Sequence, residues 1–132
     1  MNKGLDNKLC EECPNLYRDR RASIQVSAMP FGFDAMNGWF DIIYDLSVKL
    51  EKLILDLPEE KRASYRAVQV KEKFGTLRFY MSAETDEMED AIREAERLSA
   101  ITCEYCGKPG SLRTKGWLFT LCDDCDRDRP WR

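Results

Sequence analysis

Histidine is missing from all 132 residues. Imidazole is the one side chain whose unperturbed titration falls near neutrality, so its absence removes the commonest general base. Ser-His and Cys-His nucleophile pairs go with it, as do histidine metal ligands. No apolar run approaches the roughly 20 residues that cross a bilayer. The opening MNKGLDNKLCEEC has neither an apolar stretch nor a small-residue cleavage site, so no secretory leader is expected. Excess positive charge is lacking too: 21 Lys and Arg against 24 Asp and Glu give a formal charge of −3. A typical nucleic-acid binder is strongly basic. Internal repeats and low-complexity tracts are absent. These gaps point to a cytoplasmic, non-enzymatic protein with no membrane partner.

Six cysteines stand against those absences. In a reducing compartment three disulfides are a poor account of them, and metal ligation is a better one. TCEYCGKPG places Cys103 and Cys106 three apart, followed by Gly107, and LCDDC supplies Cys122 and Cys125. The full spacing, Cys103-x2-Cys106-x15-Cys122-x2-Cys125, fits a four-cysteine zinc ribbon. Each pair can turn both sulfurs inward on a tight knuckle, and Gly107 tolerates the positive φ such turns need. Two knuckles joined by a hairpin present a tetrahedron of soft thiolates, which suits zinc. Four protein ligands leave no open position, so the one expected zinc ion is structural. Cys10 and Cys13 form a third pair that cannot close a site alone. They read as free surface thiols, as a redox C-x-x-C, or as half of a zinc site completed by a second chain in a dimer.

The rest of the chain predicts an α+β domain over residues 1–101, a zinc ribbon over 102–126 and a loosely ordered charged tail over 127–132. Residues 1–13 form a polar lead. Pro14 suits the first turn of a short helix reaching about Ile24 and carrying Arg18, Arg20 and Arg21. A Gly- and Pro-punctuated loop follows, with Phe31 and Phe33 folding back onto the core. Trp39, Ile43, Leu46, Leu50, Leu53 and Leu57 recur at three and four, predicting a long helix over 39–57. Asn37 is placed to cap it and Pro58 to stop it. A β-hairpin is expected over 66–82, with Val68 and Val70 alternating inward and Gly75 in the connection. A second helix spans 86–101, opened by a capping box of Asp86 with Glu89.

Two charged surfaces invite a functional reading. Residues 84–102 hold seven acids and two bases. Glu87, Glu89, Asp90 and Glu94 make an acidic partner-binding face, or a solvated one with Glu89 paired to Arg93. On the hairpin, Gln69, Lys71, Lys73, Arg78 and Tyr80 share the face opposite Val70 and Phe79. Such interleaving of cations with an aromatic can track a nucleic-acid backbone, though ordinary exposed sheet faces look the same. Trp39, Phe40, Phe31, Phe33 and Phe74 form either an exposed aromatic binding patch or part of the core, and the helical spacing of Trp39 favours the core.

The segments GFDAMNGWFDIIYDL, VQVKEKFGTLRFYMS and TCEYCGKPGSLRTKGWLFTLCDDC resemble a group of small uncharacterised proteins of phages and prophages, from about Pro14 to Cys125. The resemblance implies a phage-related origin and a cytosolic setting, and no established activity. The expectation is a zinc-binding interaction protein that inhibits or redirects a host protein machine. The alternative is a nucleic-acid-binding ribbon that uses the basic hairpin face.

Overall fold

The computed structural model describes residues 1–129. Its first element corrects the sequence reading, because the polar lead is a helix, α1 (Lys3–Glu12). Asn2 caps it: Oδ1 accepts from the Gly4 N–H at 2.7 Å, satisfying a first-turn donor that has no helical partner. Leu9 and, just beyond the helix, Cys13 are fully buried. The helix expected from Pro14 to Ile24 does not form. A turn and a 3-10 segment, Arg18–Arg21, take its place. Tertiary hydrogen bonds override the local preference. The Glu51 carboxylate accepts from the Leu16 N–H at 2.8 Å and from Asn15 Nδ2 at 2.8 Å. Arg20 forks onto Asp6 at 3.1 and 2.8 Å, and Arg66 reaches Asp19 at 2.7 Å.

The long apolar stripe folds as α2 (Phe40–Leu55), which buries Ile43, Leu46, Leu50 and Ile54. Leu53 and Leu57 are only half-buried at its edge. Asn37 does not cap this helix; its Oδ1 accepts from the Asn2 N–H at 2.9 Å and ties the two helix starts together. Pro58 opens a further single turn, α3 (Glu59–Arg62), rather than only ending the helix.

A three-stranded sheet has the order β1 (Phe33–Asp34), β2 (Ala67–Lys73), β3 (Thr76–Met81), with β1 parallel and β3 antiparallel to β2. Pairing steps from Ala67↔Met81 to Gln69↔Tyr80. This bulge at Val68 shifts the alternation, so Ala67 and Val70 are buried in place of the expected Val68 and Val70. The β2–β3 turn is Phe74-Gly75, with φ of 55° and 84°. Two-residue hairpin turns with both φ positive favour Asn-Gly, and a bulky side chain there costs about 1 kcal/mol.

Next comes α4 (Asp86–Ser99), capped by Thr85, whose Oγ1 accepts from the Met88 N–H, and not by the Asp86–Glu89 box. It lies along β3. Glu96 Oε2 accepts from the Phe79 N–H at 3.1 Å and Ser99 Oγ from the Leu77 N–H at 2.9 Å, which satisfies donors the ladder leaves over. Residues from α1, α2, the sheet and α4 share one apolar core with Trp39 and Phe33 inside it. Phe40 packs at its margin, but Phe31 and Phe74 do not fold back: they are 75% and 64% exposed.

The C-terminal part pairs β4 (Ser111–Arg113) with β5 (Phe119–Leu121) antiparallel and ends in α5 (Asp123–Asp128). The helix runs on past 126, and Arg129 is buried with its Nη2 3.0 Å from Asp126. The expected loose tail is therefore ordered up to there; residues 130–132 lie outside the described residues. Among the described residues, no helix is long and apolar enough to cross a membrane.

Candidate metal centre

The two knuckles are built by backbone hydrogen bonds. After α4 ends, Thr102 bridges to Pro109, the Cys103 N–H donates to Lys108 O at 2.7 Å, and the Gly107 N–H returns to Cys103 O at 2.9 Å. Gly107 takes φ 83°, as the C-x-x-C-G pattern requires. In the second knuckle Cys122 is the N-cap of α5: its Sγ accepts from the Cys125 N–H at 3.4 Å, and its carbonyl accepts from the Asp126 N–H at 3.0 Å. Strands β4 and β5 hold the knuckles face to face. Arg113 locks this arrangement, donating to Leu121 O and to Asp123 Oδ1, each at 2.9 Å.

The sulfurs of Cys103, Cys106, Cys122 and Cys125 all lie within 4.8 Å of one another, and Cys106 and Cys122 approach to 3.6 Å. A tetrahedral site with metal–sulfur bonds of about 2.3 Å needs sulfurs ~3.8 Å apart. The donor set therefore fits a metal ion, and all four ligands predicted from the spacing converge. Burial opposes ionisation of Cys103, but backbone N–H groups of Cys122, Cys106 and Tyr105 bring its thiol down to about 7. Burial pushes Cys125 and Cys106 the other way, and neighbouring sulfurs add to the rise. Four adjacent thiolates repel one another, and a divalent cation between them offsets that repulsion. A metal bound by all four sulfurs would have its tetrahedral coordination sphere filled by protein ligands.

The centre is fastened to the rest of the chain. Trp39 Nε1 donates to Thr102 O at 2.9 Å, and the Gly38 N–H donates to Glu104 O at 2.7 Å. A Cβ on Gly38 would stand 2.4 Å from the carbonyl oxygens of both Cys103 and Glu104, so only glycine fits there. Thr120 Oγ1 donates to Gly75 O at 2.6 Å, joining β5 to the β2–β3 turn. Glu104 sits in this seam, 3% exposed, its Oε2 accepting from the Met36 N–H at 3.2 Å. Burial, with Glu72, Asp34 and Cys103 nearby, raises its carboxyl to about 7. Nothing in the spacing of the cysteines signals this acid.

Cys10 and Cys13 lie elsewhere. They are free thiols, but Cys13 is fully buried in the core and is not at the surface. Burial raises Cys10 to about 11 and Cys13 to about 12, with Asp6 and Glu51 contributing respectively. Such thiols are poor nucleophiles, and a site shared with a second chain would require Cys13 to leave the core.

On the two charged surfaces Gln69, Lys71, Arg78 and Glu89 are half-buried, whereas Lys73 and Tyr80 are exposed. Glu87, Asp90 and Glu94 are exposed on α4; Glu89 pairs with Arg93, and Glu94 with Arg97. Strand register sets Gln69 opposite Tyr80 and Lys71 opposite Arg78, with Lys73 opposite Thr76. The structure adds a groove between α2 and α4, which no single-element pattern reveals. Ile42, Leu46, Ala91, Ala95 and Leu98 line it, and Asp41, Asp45, Lys49 and Glu94 stand at its sides. Protein-family profiles, curated proteins and solved structures give no significant match to this chain.

Proposed function

We propose that the protein is a non-enzymatic interaction protein, closed at its C-terminal part by one structural zinc ion, that binds a basic amphipathic segment of a partner protein between α2 and α4. The observation that carries this is the groove, with apolar side chains between the helices and Asp41 and Asp45 beside Lys49 on its α2 side, while Glu94 on the α4 side is paired with Arg97. Helix-in-groove recognition needs an apolar floor for the anchors and charge complementarity at the rim. Glu87 and Asp90 extend the negative field along α4. In the phage setting that the resemblance implies, the partner is a host protein machine, inhibited or redirected by occupation of its basic segment. A reducing cytoplasm keeps the four thiols available for zinc.

The test is affinity capture from nuclease-treated lysate with the wild type and with a variant reversing Asp41, Asp45 and Glu94 to Lys. All three are exposed, and an unchanged far-UV circular dichroism spectrum checks that the variant folds. A partner retained by the wild type, identified by mass spectrometry, rebound as a purified protein and lost in the variant supports the reading. Equal capture by both removes it. Elemental analysis is expected to give one zinc per chain. A ratio of about 1.5 would mean that Cys10 and Cys13 complete a second site between two chains, at four sulfurs per zinc.

A further inference from the structure

The two hairpins end side by side, and each tip carries an aromatic ring that the core does not use. Phe74 in the β2–β3 turn is 64% exposed, and Trp117 in the β4–β5 connection is 73% exposed. They line one cleft, together with Lys73, Gly116 and Leu118. The cleft is held rigid from behind. The Thr120–Gly75 hydrogen bond is buried, and a Cβ on Gly75 would meet Leu112 Cδ1 at 2.7 Å.

Phe74 is costly twice over: its backbone is left-handed, φ 55°, and its ring lies in water. Strain of this kind, with no compensating burial, collects at binding sites. The surroundings decide the ligand. The Lys73 ammonium lies 5.4 Å from the Phe74 ring centroid. Lys115 is exposed beside Gly116, and the Lys71–Arg78 pair continues the positive charge along the hairpin. The one acid lining the cleft, Glu72, turns its Oε2 back to accept from the Gly75 N–H at 2.7 Å. Exposed flat rings beside cations that outnumber the one carboxylate match unstacked bases on a phosphate backbone. A duplex hides its base faces and does not satisfy the rings.

We infer that the cleft between the hairpin tips is a base-stacking site for single-stranded nucleic acid, in which Phe74 and Trp117 stack bases and Lys73 and Lys115 contact phosphates. The site is separate from the α2–α4 groove and does not depend on that reading.

The experiment is fluorescence anisotropy of the metal-loaded full chain with labelled single strands of about 12 nucleotides, DNA and RNA, and with the matching duplex. Single strands are expected to bind at least roughly tenfold more tightly than the duplex, with affinity falling as salt rises. Phe74→Asn and Trp117→Ala are each expected to weaken binding by roughly tenfold, the loss of one stacked base. Asn suits the turn better than Phe, so a lost signal in Phe74→Asn reports the ring and not unfolding. The groove variant with Asp41, Asp45 and Glu94 reversed retains Phe74-dependent single-strand binding. The inference is overturned by absent single-strand binding, by equal duplex affinity, or by indifference to both aromatic replacements. It is equally overturned if Phe74→Asn abolishes capture of a protein partner while nucleic-acid affinity stays unchanged.

Discussion

Residues 1–101 and residues 102–129 are held together by different physics. The first part owns every member of the apolar core, from Leu9 to Ala95. The second contributes only Cys103 and Leu121 to the buried apolar side chains, alongside buried Glu104, Thr120 and Arg129. One part is organised by apolar burial and would keep its shape without cross-links. The other lacks the surface to bury and is organised by four converging sulfurs and a mesh of polar bonds. Small segments commonly depend on such staples. The seam at Gly38, Trp39, Glu104 and Thr120 makes the two interdependent.

The sharpest way to test this contrast is to remove the metal. Zinc contributes about 10–16 kcal/mol of apparent folding free energy in isolated zinc-finger peptides, so chelation is the largest effect expected here. Hydrogen exchange should show residues 103–125 losing protection while α2 and α4 keep theirs. With Trp117 and Trp131 replaced by Phe, Trp39 emission should shift modestly, because its Nε1 partner, Thr102 O, borders the released part. If the whole chain melted in one transition, or the ribbon stayed protected, the division of labour would be wrong.

Next in size is damage to the apolar part. Ile43 is fully buried on α2, and Ile43→Ala leaves a cavity that costs about 4 kcal/mol. Denaturant unfolding of the metal-loaded protein should read that loss, with metal content unchanged. The seam itself comes third. Gly38→Ala forces a methyl group against the Cys103 and Glu104 carbonyls, for about 3 kcal/mol. Unlike Ile43→Ala, it should also weaken metal retention against a competing chelator, since it pushes the first knuckle away. Equal retention by the two variants would mean that the seam does not transmit strain to the sulfurs.

The same contrast explains what was legible in the sequence. The four-sulfur cluster was readable because a tetrahedral ion dictates spacing along the chain, and Cys103, Cys106, Cys122 and Cys125 fit that spacing. The second long helix and the hairpin were readable because Met88, Ile92 and Ala95, and Leu77 and Phe79, keep one period within one element. Elements built by distant partners were not. The turn after α1 exists because Glu51, 35 residues on from Leu16, accepts its N–H. Strand β1 is two residues long and is defined by pairing Phe33 with Val70. The bulge at Val68 changes which residues face inward without changing composition. The helical spacing of Trp39 places that ring in the core but says nothing of Phe74, whose exposure follows from the turn geometry.

Smaller effects probe the seam and the tips one bond at a time. Thr120→Val keeps the shape of a nearly fully buried side chain but strands Gly75 O, costing about 2 kcal/mol. The β2–β3 turn should then exchange faster with solvent while the sulfur cluster keeps its metal. Phe74→Asn acts in the opposite direction. It replaces a strained, solvated ring by the residue that tolerates positive φ, so thermal unfolding should show a gain of about 1 kcal/mol. A gain would establish that phenylalanine costs this turn stability, as the strained, solvated ring predicts. A loss would mean that the ring supports the tip through its contacts with Lys73 and the neighbouring hairpin, and the case for a ligand in the cleft would weaken accordingly.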